Sequence, residues 1–188
     1  MNPQVLIAGV GMVPFRRPGQ SDPYDIIAEA AIRAALEDAQ LDYELVDQAF
    51  ASFVYADSCS GQRALYRVGM TGIPIANVNN NCASGSAALH LARTAILSGE
   101  AECALAFGFE EMQAGAIDRV FPQLADPLGI HLKRVADAMA LTERERTPPP
   151  ALQLFGALLE RRMERYEALD LQARLSASSA ALRLMQVA

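Results

Sequence analysis

Tryptophan is absent from the chain, histidine occurs only twice and cysteine three times. His90 and His131 are therefore the whole supply of imidazole for proton transfer. Cys59, Cys82 and Cys103 are odd in number and widely spaced, which suits neither a disulfide framework nor a CxxC zinc site. Positive charge is also short: 16 basic against 22 acidic residues leave a net charge of -6 and a pI near 4.9. Such a surface has no broad positive field to hold a nucleic acid. No apolar run reaches the roughly 18 residues that would span a bilayer. The opening "MNPQVLIAGVGMVPFRRPG" lacks the positively charged head of a secretory signal. These absences predict a cytoplasmic protein in a reducing compartment, with no nucleic-acid partner, no membrane span, no metal and no permanently bound cofactor.

What is present is apolar and helix-forming. Hydrophobic residues make up 52% of 188, enough for a substantial core in a single-domain chain, and alanine is abundant. "VLIAGVGMV", residues 5–13, reads as a strand buried on both faces. Its GxG is no dinucleotide fingerprint, because Pro14 follows and no helix opens there. In "SDPYDIIAEAAIRAALEDAQ", Asp22 is placed to cap a helix and Pro23 to occupy its first position. Ile27, Ala30, Ala31, Ala34 and Ala35 repeat at helical spacing opposite Glu29, Arg33 and Glu37. "VDQAFASFVYA" follows as a strand, "GQRALYRVGM" as a short helix and "IPIANVN" as a strand. A helix from Cys82 to Gly99 and a strand "AECALAFGF" complete the alternation. The pattern predicts a layered α/β fold with a mostly parallel sheet.

Residues 113–150 mix charge, proline and scattered apolar residues, an excursion outside the sheet. Residues 151–188 turn helical again, with Leu152, Phe155, Leu159 and Met163 on one side. The organisation expected is a core over 1–112, an excursion over 113–150 and a helical segment over 151–188.

The most pointed stretch is "NVNNNCASGSAALHLA", residues 77–92. Cys82 stands where an apolar strand turns into a helix of very small residues, which other backbones can approach from several sides. The helix entrance has unpaired N–H groups and a positive dipole, both favourable to a thiolate and to an oxyanion. The carboxyl end of a parallel strand is also where α/β sheets carry their chemistry. A small buried cysteine would satisfy the same pattern as core filler. The residues alone leave both readings open.

"NVNNNCASGSAALHLARTAILSGEAECALAFGFEEM", after "IAGVGMVPFRRPG", resembles the N-terminal half of a thiolase, of the sterol-carrier-protein and lipid-transfer type. The resemblance covers residues 4 to about 112, and "PPPALQLFGALLERRMERY" extends it. It implies a thiolase-like layered α/β fold, N-terminal half only, with a buried central helix. It further implies that Cys82 is the acyl-accepting nucleophile, forming a thioester from an acyl-CoA substrate, with its backbone N–H directed to the oxyanion. Coenzyme A thioesters would be substrates in lipid or acyl-CoA metabolism.

Thiolases have a second, similar half that supplies histidines and a second cysteine, and neither an "HP" nor a "CxG" motif occurs in residues 113–188. His90 follows Cys82 by eight residues, about 12 Å of helical rise, and is out of reach of the thiol. His131 reads as a surface residue of the excursion, Cys103 as core, and Cys59 as a loop or helix-start thiol. Tyr55 and Asp57 near a strand end are as well explained by packing and turn formation as by a channel. Three readings follow: an acyltransferase completed by pairing, a non-catalytic thiolase-fold subunit or truncated product, or a ketosynthase-like condensing enzyme. The expected partners are a second copy, a C-terminal thiolase half or another thiolase-fold subunit, because a half sheet leaves an apolar face uncovered.

Overall fold

The computed structural model describes residues 4–113 and 121–142, with Phe155, Gly156 and Leu159. The chain divides into two compact units, Met1–Ala114 and Gly115–Ala188. The first holds helix α1 (Tyr24–Ala39), strand β1 (Gln48–Ser52), helix α2 (Ser60–Tyr66), strand β2 (Ile75–Val78), helix α3 (Ser84–Ser98) and strand β3 (Ala104–Gly108).

The strands form a parallel sheet in the order β2-β1-β3, with Phe50 opposite Ala76 on one side and Ala106 on the other. Side chains alternate across a strand, and β1 serves two cores accordingly. Ala49 and Ala51 join Ile32 of α1 and Leu65 of α2 on one face. Phe50 meets Ala88, Ala92 and Ala95 of α3 on the other. The result is three layers, with α1 and α2 on one side of the sheet and α3 on the other. Both faces of β1 are buried, which is why it reads as a continuous apolar run.

Local chemistry sets the helix ends. The sequence expectation of an Asp22 cap with Pro23 inside the helix is corrected: Pro23 is itself the N-cap, and no side chain of its own neighbourhood caps the helix. The Tyr24 N–H donates instead to a Glu111 carboxylate oxygen at 2.9 Å, from the segment after β3. A negative charge there suits the positive end of the helix. Between α1 and α2, Arg67 bridges Glu29 at 2.7 Å and the nearly buried Asp25 at 3.6 Å, and Arg63 adds a contact to Asp25 at 3.2 Å. Gly99, in the left-handed region, ends α3 as expected.

Residues 5–13 depart from expectation and form no strand. Among the described residues no strand pairs with them. Leu6, Ile7, Val10 and Met12 are exposed. The segment runs against α1 instead, with the Val10 N–H donating to an Asp38 carboxylate oxygen at 2.9 Å. A Cβ on Gly9 would meet the backbone nitrogen of Ala39 at 2.6 Å, and one on Gly11 would overlap the Ala31 carbonyl. The glycines thus let two backbones touch, a role distinct from strand formation.

In the second unit the structure adds an element that the sequence analysis did not place. The excursion contains a helix, α4 (Gly129–Ala138), whose Ala136 packs with Leu141 and Met139. His131 lies on this helix. The helical segment expected at 151–188 falls outside the described residues except for Phe155, Gly156 and Leu159, which are exposed. No helix among the described residues is long and apolar enough to cross a membrane.

Candidate active site

Three strand ends converge. Ser52 closes β1, Gly108 closes β3, and the chain leaving β2 at Val78 passes through Asn79, Asn80 and Asn81 to Cys82 before α3 begins at Ser84. The carboxyl ends of parallel strands are open to ligands because each strand must turn there into the next connection. Here they border a cavity of about 680 Å³ lined by Ser52, Cys82, Gly85 and Gly108, with Phe109 and Glu110 beyond β3. The opposite wall is the N-terminal segment, including Met12, Phe15, Arg16 and Arg17.

Cys82 is exposed and so is not packed as core filler within this chain. It stands two residues ahead of α3, not at its first residue. The turn that carries it is tightly bonded. Asn81 is left-handed, with φ 50°, a conformation that asparagine tolerates better than most residues. Its N–H donates to the Asn79 side-chain oxygen at 3.1 Å. The N–H groups of Ala83 and Ser84 donate at 3.0 Å to the carbonyls of Asn80 and Asn81. Two donors of the expected helix entrance are therefore already engaged.

Ser84, buried at the first position of α3, reaches backward. Its hydroxyl donates to the Asn81 carbonyl at 2.6 Å and accepts the Asn80 N–H at 2.8 Å. Across the cavity, the Glu110 carboxylate accepts the N–H of Val54 and, at 3.3 Å, that of Tyr55. The Ser52 hydroxyl donates to the Phe107 carbonyl at 3.0 Å. Among the described residues the cavity lining offers an exposed thiol, the tethered Glu110 carboxylate and two arginines.

The other candidates fall elsewhere. His90 is exposed on α3, and among the described residues no histidine lines the cavity. Cys103 packs against the core beneath α1 and α2. Burial, with the Asp47 carboxylate nearby, pushes its thiol above the usual range. Cys59 is the left-handed N-cap of α2. Asp57 accepts the Ser60 N–H at 3.2 Å as part of a turn. Arg67 is committed to its carboxylates. The sequence reading missed Arg16, Arg17, Ser52, Ser84 and Glu110 as members of the site. The adjacent arginines of "PFRRPG" and the serine two places after Cys82 were the available signals. Among the described residues no cluster of His, Cys, Asp and Glu could hold a metal ion.

Residues 5–123 match the thiolase N-terminal domain. The chain belongs to the thiolase family. It is 45% identical over 166 residues to human sterol carrier protein 2 and 37% identical over 166 residues to the Caenorhabditis elegans non-specific lipid-transfer protein-like 2. Each alignment covers 87% of this chain, but only 30% and 40% of those relatives. The chain thus spans about a third of the length of the curated proteins it matches. Benzoylsuccinyl-CoA thiolase subunit BbsB of Thauera aromatica is 34% identical over 109 residues, 57% of this chain and 28% of that one. Among solved structures, an acetyl-CoA acetyltransferase from Syntrophomonas wolfei superposes with a TM-score of 0.53 at 19% identity, covering 74% of this chain and 43% of that one. That similarity speaks for the thiolase-like α/β fold.

Proposed function

We propose that the chain carries the nucleophilic half of a thiolase-type acyltransferase and that Cys82 accepts an acyl group from a coenzyme A thioester. The observation that carries this reading is the exposed Cys82 thiol, held on a bonded turn at the mouth of a cavity where three strand ends meet. In the first half-reaction the sulfur of Cys82 attacks the thioester carbonyl carbon. The bond from that carbon to the coenzyme A sulfur breaks, and coenzyme A leaves as the free thiol with the proton Cys82 has given up. A base that takes that proton speeds such a step by about 100- to 10,000-fold, while a slow adduct forms without one. Among the described residues Glu110 is the carboxylate that lines the cavity, but two backbone donors already occupy it.

We therefore assign the base to residues beyond the described ones: those of a C-terminal thiolase half, another thiolase-fold subunit or a second copy. Leu6, Ile7, Val10, Met12 and Phe15 support that assignment, because an exposed apolar segment along a sheet end calls for a cover. The Thauera aromatica relative is itself a thiolase subunit, which favours such pairing. The similarity to sterol carrier protein 2 and lipid-transfer proteins favours acyl-CoA substrates of lipid metabolism. The exposed free thiols fit a reducing, cytoplasmic setting.

The test is the intact mass of the purified chain after incubation with acetyl-CoA and with a longer acyl-CoA, beside Cys82→Ala. An acyl adduct absent from the variant is expected. A folded chain that gains no adduct would overturn the assignment in favour of a non-catalytic thiolase-fold subunit.

A further inference from the structure

We infer that Ser84 is a positioning residue for acyl transfer: its buried hydroxyl holds the Asn80–Asn81 turn in the one conformation that presents Cys82 to the cavity. The inference rests on the acyl-accepting role proposed for Cys82. Ser84 is 5% exposed and stands in the cavity lining beside Cys82. Both of that hydroxyl's bonds go to the backbone immediately before the cysteine, one to the Asn80 N–H at 2.8 Å and one to the Asn81 carbonyl at 2.6 Å. A serine at the start of a helix ordinarily caps its own helix from the N-cap position. This one stands inside the first turn and bonds outward, while the N-cap, Ala83, has no side-chain bond to give.

The direction of the bonds matters because the turn is under conformational load. Asn81 has φ 50°, where an L-residue is disfavoured unless its surroundings hold it. Relaxation of Asn81 toward negative φ would rotate the peptide that leads into Cys82 and carry the thiol away from its present aim. Ser84 opposes that rotation at both ends, since the Asn81 carbonyl and the Asn80 N–H cannot turn independently while one hydroxyl joins them. The N–H groups of Ala83 and Ser84, bonded to the carbonyls of Asn80 and Asn81, add two more hydrogen bonds to the turn, and the Asn81 carbonyl accepts both the hydroxyl and the N–H of Ser84.

Acyl transfer requires the sulfur to approach a carbonyl held in the cavity along a narrow range of angles. Alkylation by a small freely diffusing reagent such as iodoacetamide does not. Misplacement by about 1 Å costs an oriented reaction on the order of 100-fold and leaves an unoriented one nearly untouched. Ser84→Ala should therefore slow acylation of Cys82 by acetyl-CoA by about 10- to 100-fold, with the iodoacetamide rate at Cys82 within about threefold of the parent. Ser84→Thr, which keeps the hydroxyl, should restore most of the acylation rate. Peptide mapping with mass detection reads both reactions at Cys82, and circular dichroism establishes that each variant is folded.

Equal acylation in the parent and Ser84→Ala would overturn the positioning role while leaving the acyl-accepting role of Cys82 intact. Acylation and alkylation falling together, or a Ser84→Ala chain that does not fold, would make Ser84 a structural residue and equally overturn it. A folded Ser84→Thr chain as slow as Ser84→Ala would do so too. A parent chain that is alkylated at Cys82 but never acylated would instead remove the acyl-transfer reading, and this inference with it.

Discussion

Gly108, at the end of β3, is the position where a single methyl group should do most damage to the floor of the site. A Cβ built there would run into the Ser52 hydroxyl and lie 3.0 Å from the Ser52 carbonyl oxygen. That carbonyl accepts the Phe109 N–H at 3.1 Å, and the Ser52 hydroxyl donates to Phe107 at 3.0 Å, so the methyl group strains two bonds that tie β1 to the end of β3. Overpacking of a tight site costs about 1–3 kcal/mol, and a weakened intramolecular hydrogen bond about 0.5–1.5 kcal/mol. Gly108→Ala should therefore lose about 2–4 kcal/mol. With a urea slope of about 2 kcal/mol per molar, the unfolding midpoint should fall by about 1–2 M, followed by circular dichroism. Ser52→Ala in the same chain removes the clashing hydroxyl but not the carbonyl. The double variant should thus be more stable than the sum of the single losses by about 1 kcal/mol. Losses that add within about 0.5 kcal/mol, or a Gly108→Ala midpoint equal to the parent's, would refute the close contact between these strand ends.

Thiol alkylation should proceed in two stages: intact mass should show Cys59 and Cys82 modified in the folded chain and Cys103, half-buried with its thiol pushed up by burial and by Asp47, only on unfolding. Asp47 accepts the N–H of Glu102 at 2.8 Å and of Cys103 at 3.0 Å, and those bonds hold its carboxyl below the ordinary 3.8. Its stabilising contribution is therefore complete above that ordinary value and lost as pH falls through the lower folded value; Asp47→Asn should flatten the acid limb of a stability-versus-pH curve. Ile32→Ala, at 1% exposure between α1 and the sheet, should cost about 2–5 kcal/mol in the same urea assay. Gly11→Val should dislodge the N-terminal segment from the α1 backbone and make residues 4–15 faster to cleave in limited proteolysis, with the β1–α2 core still resistant.

The sheet was legible because a parallel strand covered on both faces, as β1 is, must be apolar almost throughout, and its half-buried neighbours in "IPIANV" and "CALAF" are apolar at most positions. The same rule misled at "VLIAGVGMV". Apolar composition reports that a segment wants cover, but not that a partner strand exists to pair with it, and among the described residues none does. Its glycines carried the better clue: at Gly9 and Gly11 a side chain would collide with the α1 backbone, so they mark a close approach. Helix α4 was hidden for a different reason. Its "GIHLKRVADA" sits between prolines and charges, and it buries only Ala136, against Leu141 and Met139, too little of an apolar face for spacing to announce.

Within the site, legibility followed the range of the interaction. Cys82 could be found because its placement is local: strand, turn and small-residue helix are contiguous in the chain. The carboxylates of Glu110 and Glu111 could not, because one bonds Val54 and Tyr55 and the other Tyr24, groups far away in sequence that only the parallel crossovers bring to the same end of the sheet. Ser84 lies between these cases. It is two residues from the cysteine, yet its role depends on a left-handed Asn81 that no residue pattern specifies and that asparagine merely permits. A nucleophile can therefore be read from a sequence before the groups that aim it can, because the nucleophile is set by residue type and its aim by backbone torsion.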